Sequence, residues 1–122
     1  MIEPKRPKVS PAQSRRAYEK VAARSFGLCE GCGHRQATQM HHRQYRSRGG
    51  RDEVVNLIHV CGNGNNNDDS CHGRAHNDRE AVADGWSVVS GVNPAHVPVL
   101  YRGRFVFLLP DGGIEDMGEV TF

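Results

Sequence analysis

Four cysteines in a short chain place the strongest constraint on how this sequence can fold. Cys29 and Cys32 form a C-x2-C pair, and Cys61 and Cys71 follow with nine residues between them. A chain of 122 residues, 37% of them hydrophobic, can bury only a thin core, and such domains often rely on a metal or on disulfides. Four thiolates from two turns match the ligand set of tetrahedral structural zinc. The spacing therefore predicts a zinc-stabilised single domain.

Other uses of the four cysteines are disfavoured by the rest of the sequence. A redox C-x-x-C motif is expected near a β-α-β pattern, which this chain lacks. The N-terminal stretch MIEPKRPKVSPAQSRR has no apolar segment, so we expect neither a secretory signal nor a disulfide-bonded secreted domain. No apolar run approaches the roughly 18 residues of a membrane span. We expect a cytoplasmic protein that makes no contact with a membrane.

Charge is distributed unevenly along the chain. Residues 1–51 contain twelve Lys and Arg against three Asp and Glu, whereas residues 52–122 contain four against eleven. The net charge is only +2, but the N-terminal half is strongly basic. This pattern favours a polyanionic partner, with nucleic acid the first candidate. Solvated surface charge without a specific partner is the alternative.

The residue pattern predicts a mixture of helices and short strands in three segments. Residues 1–13 are rich in proline and basic residues, which predicts an irregular arm. Residues 14–85 form the predicted core. It has a helix over 14–24, a short strand in 37–42, and in 54–61 either a strand or half a turn of helix followed by a strand. An exposed polar loop over 62–70 and a helix over 71–85, capped by Ser70 and stopped by Gly85, complete it. Residues 86–122 form a β extension on the same domain, in which WSVVS, PVLYR and RFVFLLP are the strand candidates.

Two pairs of histidines suggest a second metal site. His72 and His76 are four residues apart on the predicted helix, so their rings can share one metal. An open catalytic metal needs a third ligand, which either His41 or His42 can provide, and the remaining histidine could take a proton from water. A chance pair on a solvated helix is the alternative interpretation. We expect no site role for the other histidines, which are His34, His59 and His96.

The ordered motifs C-x2-C, HH, RSRGG, NL, C and CHGRAH resemble those of the HNH endonucleases. The similarity extends from about Arg24 to His76. It implies a small α+β fold with a ββα-metal (His-Me finger) core, a structural zinc site and a C-terminal β-hairpin or small antiparallel sheet. It also implies that His41, His72 and His76 bind the catalytic metal, that His42 is the general base, and that Asn56 braces the loop that orients His42. The structural zinc ligands would be Cys29, Cys32, Cys61 and Cys71.

The resemblance implies a metal-dependent DNA endonuclease that hydrolyses phosphodiester bonds. Its catalytic divalent metal would be Mg²⁺, Mn²⁺, Ni²⁺ or Zn²⁺. Guanidinium groups bind phosphate oxygens bidentately, so the candidates for DNA contact are Arg43, Arg46, Arg48, Arg51 and Arg74. The similarity further suggests a phage-encoded protein in a bacterial host, acting near terminase and other packaging proteins. The alternative is a catalytically inactive zinc-ribbon module that binds nucleic acid.

Overall fold

The computed structural model describes residues 8–62, 70–76 and 78–117. It is a small α+β structure with two antiparallel sheets. Residues 1–7 of the predicted arm and 63–69 of the predicted polar loop lie outside the described residues. Within the described part of the chain, no helix is long and apolar enough to cross a membrane.

Helix α1 spans Pro11–Ser25 and begins three residues before the predicted start. Ser10 is the N-cap, and its side chain and that of Gln13 cap each other's backbone N–H groups. The last residues of the predicted arm are therefore helical, because this capping box and Pro11 define an earlier N-terminus. The helix buries Ala17 and Val21, which pack on the strand that contains Leu57.

Strands β1 (Gln39–His42) and β2 (Leu57–Val60) form an antiparallel pair. In their register, His41 lies opposite Ile58 and His42 lies opposite Leu57. The loop over residues 43–56 connects the two strands and includes a 3-10 turn at Arg46–Arg48. The strands therefore place the HH pair at the point where the chain enters this loop.

The helix predicted over 71–85 is divided in the structure. Helix α2 spans Cys71–Arg74 and helix α3 spans Asp78–Ala83. The predicted N-cap is correct, because the Ser70 side chain accepts a hydrogen bond from the Gly73 N–H. The predicted stop is also correct, because Gly85 has a φ of +74° and a Cβ there would lie 2.0 Å from the Pro98 carbonyl oxygen. The prediction of one continuous helix was wrong.

Strands β3 (Val99–Tyr101), β4 (Arg104–Leu108) and β5 (Ile114–Asp116) form a small antiparallel sheet in that order. The segment WSVVS was predicted as a strand but is irregular. Two of its apolar residues are buried without a strand, because Trp86 and Val88 are each 2% exposed. Trp86 lies in the core cluster with residues from both halves of the chain. The third strand comes instead from the turn after Leu108, which returns the chain onto β4.

Candidate functional site

The four cysteines converge at the centre of the molecule. Their sulfur atoms all lie within 4.8 Å of one another. Tetrahedral zinc, with Zn–S bonds of about 2.3 Å, requires sulfurs roughly 4 Å apart. Cys29, Cys61 and Cys71 are buried, and Cys32 is partly buried. The cluster could therefore bind a structural metal such as zinc, although its second pair is separated by nine residues.

Backbone geometry supports thiolate ligands at this cluster. The N–H groups of Cys32 and Cys61 lie 3.5 and 3.3 Å from Cys29 Sγ, and the Cys71 N–H lies 3.4 Å from Cys61 Sγ. Gly31 allows the close approach, because a Cβ there would lie 3.0 Å from Cys71 Sγ. Donors directed at sulfur favour the charged thiolate over the neutral thiol.

Ionisation of the thiols also indicates that a cation fits the cluster. A hydrogen bond from Cys71 lowers the pKa of Cys29 to about 4 despite its burial. The same hydrogen bond and burial raise the pKa of Cys71, and burial raises the pKa of Cys61. The protein alone therefore stabilises one thiolate but not several together. A divalent cation would supply the missing opposite charge.

Three histidines form a second cluster. One ring nitrogen from each of His41, His72 and His76 lies within 4.8 Å of the others. The ring centroid of His41 is 5.3 Å from that of His72 and 5.6 Å from that of His76. His41 comes from β1, His72 from α2, and His76 from the turn after α2. The residue pattern allowed either member of the HH pair to join the other two and the resemblance implied His41, and the structure places His41 there.

His41 has the protonation state that a metal ligand needs. Its Nε2 lies 2.7 Å from the Trp86 carbonyl oxygen, which can only accept a hydrogen bond, so Nε2 bears the proton. Burial, with smaller contributions from the neighbouring His72 and His76, lowers the pKa of His41 to about 3, although the Trp86 hydrogen bond opposes the change. The ring is thus neutral, and Nδ1 keeps a lone pair for a metal.

Tyr45 adjoins the histidine cluster and was not identified from the sequence. Its hydroxyl lies 3.3 Å from His76 Nδ1 and 3.4 Å from the Ala75 carbonyl oxygen. A hydroxyl that donates to this carbonyl can accept from Nδ1–H of His76, which leaves Nε2 with a lone pair. No sequence spacing singles out this tyrosine, because the contact exists only after the loop folds over the turn after α2.

His42 faces a different set of residues from His41, as expected for neighbours in a strand. Its Nε2 lies 2.6 Å from Asp52 Oδ1, and the two side chains are 17% and 18% exposed. Asp52 was not predicted as a site residue. The only sequence hint was a carboxylate shortly after the Gly49-Gly50 pair, which by itself indicates nothing.

Asn56 is fully buried and holds the loop after β1 together. Its side-chain oxygen accepts from the Gln44 N–H at 2.7 Å, and its Nδ2 donates to the carbonyls of Gln44 and Arg51 at 3.0 Å each. The predicted bracing contact is therefore present in the geometry. The amide is therefore buried and bonded to the main chain of the loop rather than exposed at the surface.

Arg43 requires a correction, because it was predicted to contact phosphate. Its side chain is buried, and the guanidinium donates hydrogen bonds to four main-chain carbonyls, those of Val55, Gly85, Pro94 and Val97. Burial lowers the pKa of Arg43 to about 9. A guanidinium used in this way cannot reach DNA, so Arg43 has a structural role.

The other four predicted arginines remain accessible to different degrees. The Arg46 side chain is 68% exposed and lies 3.0 Å from Asp52. Arg48 and Arg74 lie over aromatic rings, with the guanidinium carbon 4.5 and 5.4 Å from the ring centroid. Arg51 is 24% exposed and lies 3.8 Å from a glutamate. Arg46 thus shares Asp52 with His42, and most of its side chain is exposed.

Comparison of the chain with protein-family models, with curated proteins and with solved structures gave no match. The fold and site define a small α+β protein with one cysteine cluster and one histidine cluster, each able to hold a metal ion. Any assignment of function depends on the residues and geometry described above.

Proposed function

We propose that this chain is a metal-dependent DNA endonuclease of the HNH type. The observation that carries the proposal is the position of the HH pair. His41 lies within a three-histidine cluster, while its neighbour His42 is held by Asp52 outside that cluster. This arrangement supports the proposal, because a metal-compatible cluster and a candidate base would not compete for one ligand position. The order β1, β2, α2 is the order that a ββα-metal core requires.

In the proposed reaction, different residues of the chain bind the metal, transfer the proton and bind the phosphate. With Nε2–H donated to Asp52, the Nδ1 atom of His42 accepts a proton from the attacking water. A divalent metal held by His41, His72 and His76 would supply positive charge for the phosphate and the leaving oxygen. Arg46 contributes a further cation next to this site.

The donor sets assign different ions to the two clusters. Four thiolates favour zinc, so the cysteine cluster is proposed to hold structural Zn²⁺. Three neutral imidazoles bind transition metals such as Mn²⁺, Ni²⁺ or Zn²⁺ more tightly than Mg²⁺. Neutral ligands also leave the full charge of the ion available to the phosphate.

A nucleic-acid-binding module without catalysis is the second candidate. The cysteine cluster and the basic N-terminal half would serve such a module equally well. A binding module without catalysis does not explain the buried, neutral His41 or the His42–Asp52 contact. Nucleic acid is the proposed partner under either candidate, with DNA the substrate of the nuclease, and association with phage packaging proteins stays a prediction from the resemblance.

Plasmid cleavage by the purified protein with a panel of divalent metals tests the proposal. Wild type should nick or cut DNA, and His42→Ala should lower the rate by at least roughly 100-fold while DNA affinity stays unchanged, since it removes the general base. His34→Ala, purified in the same way, is the matched control because its exposed side chain lies outside the site. Cleavage by His42→Ala at the wild-type rate would refute the base, and binding without cleavage would favour the inactive module.

A further inference from the structure

Asp52 is the meeting point of three segments of the chain. Its Oδ1 lies 2.6 Å from His42 Nε2 at the end of β1, and its Oδ2 lies 2.6 Å from the Ser14 hydroxyl of α1. Arg46, in the 3-10 turn, donates to both carboxylate oxygens at 3.0 and 3.3 Å. A carboxylate with three partners and 18% exposure is fixed in position more firmly than an ordinary surface aspartate.

We propose that Asp52 is a positioning residue for His42, which sets the ring orientation and the tautomer of the proposed general base. The inference rests on the proposed endonuclease function. The inference adds to the proposed function a carboxylate that the HH, Asn56 and histidine motifs do not include.

The chemistry of the contact determines which nitrogen acts. An ionised carboxylate can only accept hydrogen bonds, so the proton of neutral His42 must be on Nε2. Nδ1 then has the lone pair and is free to take a proton from water. Without Asp52, the two tautomers of His42 would both be populated, and the ring could rotate about its χ2 angle.

The surroundings of Asp52 keep the carboxylate ionised. Burial by itself would raise the pKa of Asp52, but hydrogen bonds from His42 and Ser14 and the charge of Arg46 lower it below the ordinary value. Neither of the metal-compatible clusters found among the described residues includes Asp52. Its effect on the reaction should therefore pass through His42 rather than through either metal.

Nitrogen-15 NMR of the imidazole rings tests the positioning directly, and it does not depend on nuclease activity. In wild type the His42 signals should show a protonated Nε2 and an unprotonated Nδ1, with assignment from the spectrum of His42→Gln. Asp52→Asn should lose this preference, because an amide can donate as well as accept. Asp116→Asn is the matched control, since Asp116 is 58% exposed in a distant surface pair with Arg104. An unchanged tautomer in Asp52→Asn would overturn the inference.

Kinetics of the full-length, metal-loaded protein test the catalytic consequence. Asp52→Asn should lower kcat by roughly 10- to 100-fold, the usual cost of removing a carboxylate that orients an imidazole, while KM and metal content change less than about twofold. Asp52→Glu should recover part of kcat. If Asp52→Asn is poorly folded, Ser14→Ala serves instead, because it loosens the carboxylate without removing it and should lower kcat to a smaller extent.

The two experiments separate failure of the inference from failure of the proposed function. A wild-type protein that cleaves DNA, together with an Asp52→Asn variant of unchanged kcat, would overturn the positioning role alone. A loss confined to KM or metal content would overturn it as well. A wild-type protein that cleaves no DNA with any metal would overturn the proposed function, whereas the NMR measurement would still decide whether Asp52 fixes the tautomer of His42.

Discussion

At the scale of single residues, two arginines three positions apart have opposite environments. Arg43 is fully buried among carbonyl oxygens, whereas most of the Arg46 side chain is exposed. Both follow the HH pair, and their local sequence does not distinguish them. Arg43 is the first residue after β1, and its side chain enters the space between β1 and the segment that contains Gly85 and Pro94. Four carbonyl acceptors there compensate for the cost of burying its charge.

Substitution of Arg43 should therefore affect stability rather than DNA binding. Arg43→Met removes the guanidinium donor from four carbonyls, of which that of Pro94 still accepts from the Val97 N–H. It should lower the free energy of unfolding by roughly 3 kcal/mol or more. The control, Arg104→Met, removes an exposed ion pair and should cost less than about 0.5 kcal/mol. Thermal unfolding measures both. Weaker DNA binding by Arg43→Met without loss of stability would restore the phosphate-contact interpretation.

At the scale of elements, the loop over residues 43–56 positions most of the proposed site. Asn56 connects its two ends, Asp52 holds His42, and Tyr45 contacts the turn after α2. Gly50 permits this compact path, because a Cβ there would lie 1.7 Å from the Gln44 carbonyl oxygen and 2.8 Å from that of Tyr45. Both neighbours are main-chain atoms, so neither can move without moving the loop.

Gly50→Ala tests the path of this loop. We expect it to lower the free energy of unfolding by roughly 2–4 kcal/mol and to reduce DNA cleavage, since the loop contains Arg46 and Asp52. Gly49→Ala is a matched control: its φ is +88°, but a Cβ there would meet no atom within 4 Å. It should cost only about 1 kcal/mol of backbone strain. Thermal unfolding and plasmid cleavage of both variants give the comparison, and a larger loss from Gly49→Ala would contradict the steric argument.

At the scale of the whole molecule, the cysteine cluster belongs to the main hydrophobic core. Cys29, Cys61 and Cys71 pack in one cluster with Trp86 and with Val106 of the C-terminal sheet. A metal held there would connect the turn after α1 and the end of β2 to the start of α2, inside the cluster that also contains residues of the C-terminal sheet. Its loss should destabilise the molecule as a whole rather than one turn.

Cys29→Ser should lower zinc content and thermal stability together. One lost thiolate removes a ligand from the centre of the core, and the expected cost is roughly 3 kcal/mol or more. Metal analysis and thermal unfolding measure the two effects, and a chelator should reproduce them in wild type. His34→Ala changes the same turn without removing a thiolate and should retain zinc. A Cys29→Ser variant with unchanged stability would argue against a structural metal.

Much of the fold and of the candidate site could be predicted from local sequence. Ser70, Gly85 and the amphipathic α1 mark element ends or faces through short-range chemistry, and C-x2-C spacing and the His72/His76 pair indicate metal-compatible groups for the same reason. The wrong predictions concerned features that local sequence does not encode. The interruption between α2 and α3 and the irregular path of WSVVS depend on packing against residues distant in the chain, which no local pattern reports.

The sequence by itself determined which groups are available: four thiols, seven imidazoles and a basic N-terminal half. Only the tertiary structure decided which arginine is buried and that Asp52 holds His42, and it brings together the three histidines that the resemblance implied. The physical reason is that side-chain identity fixes what an atom can donate, accept or bind. The partner of each such atom is fixed by the folding of the loop between β1 and β2, which brings together groups that lie 10 to 54 positions apart in the chain.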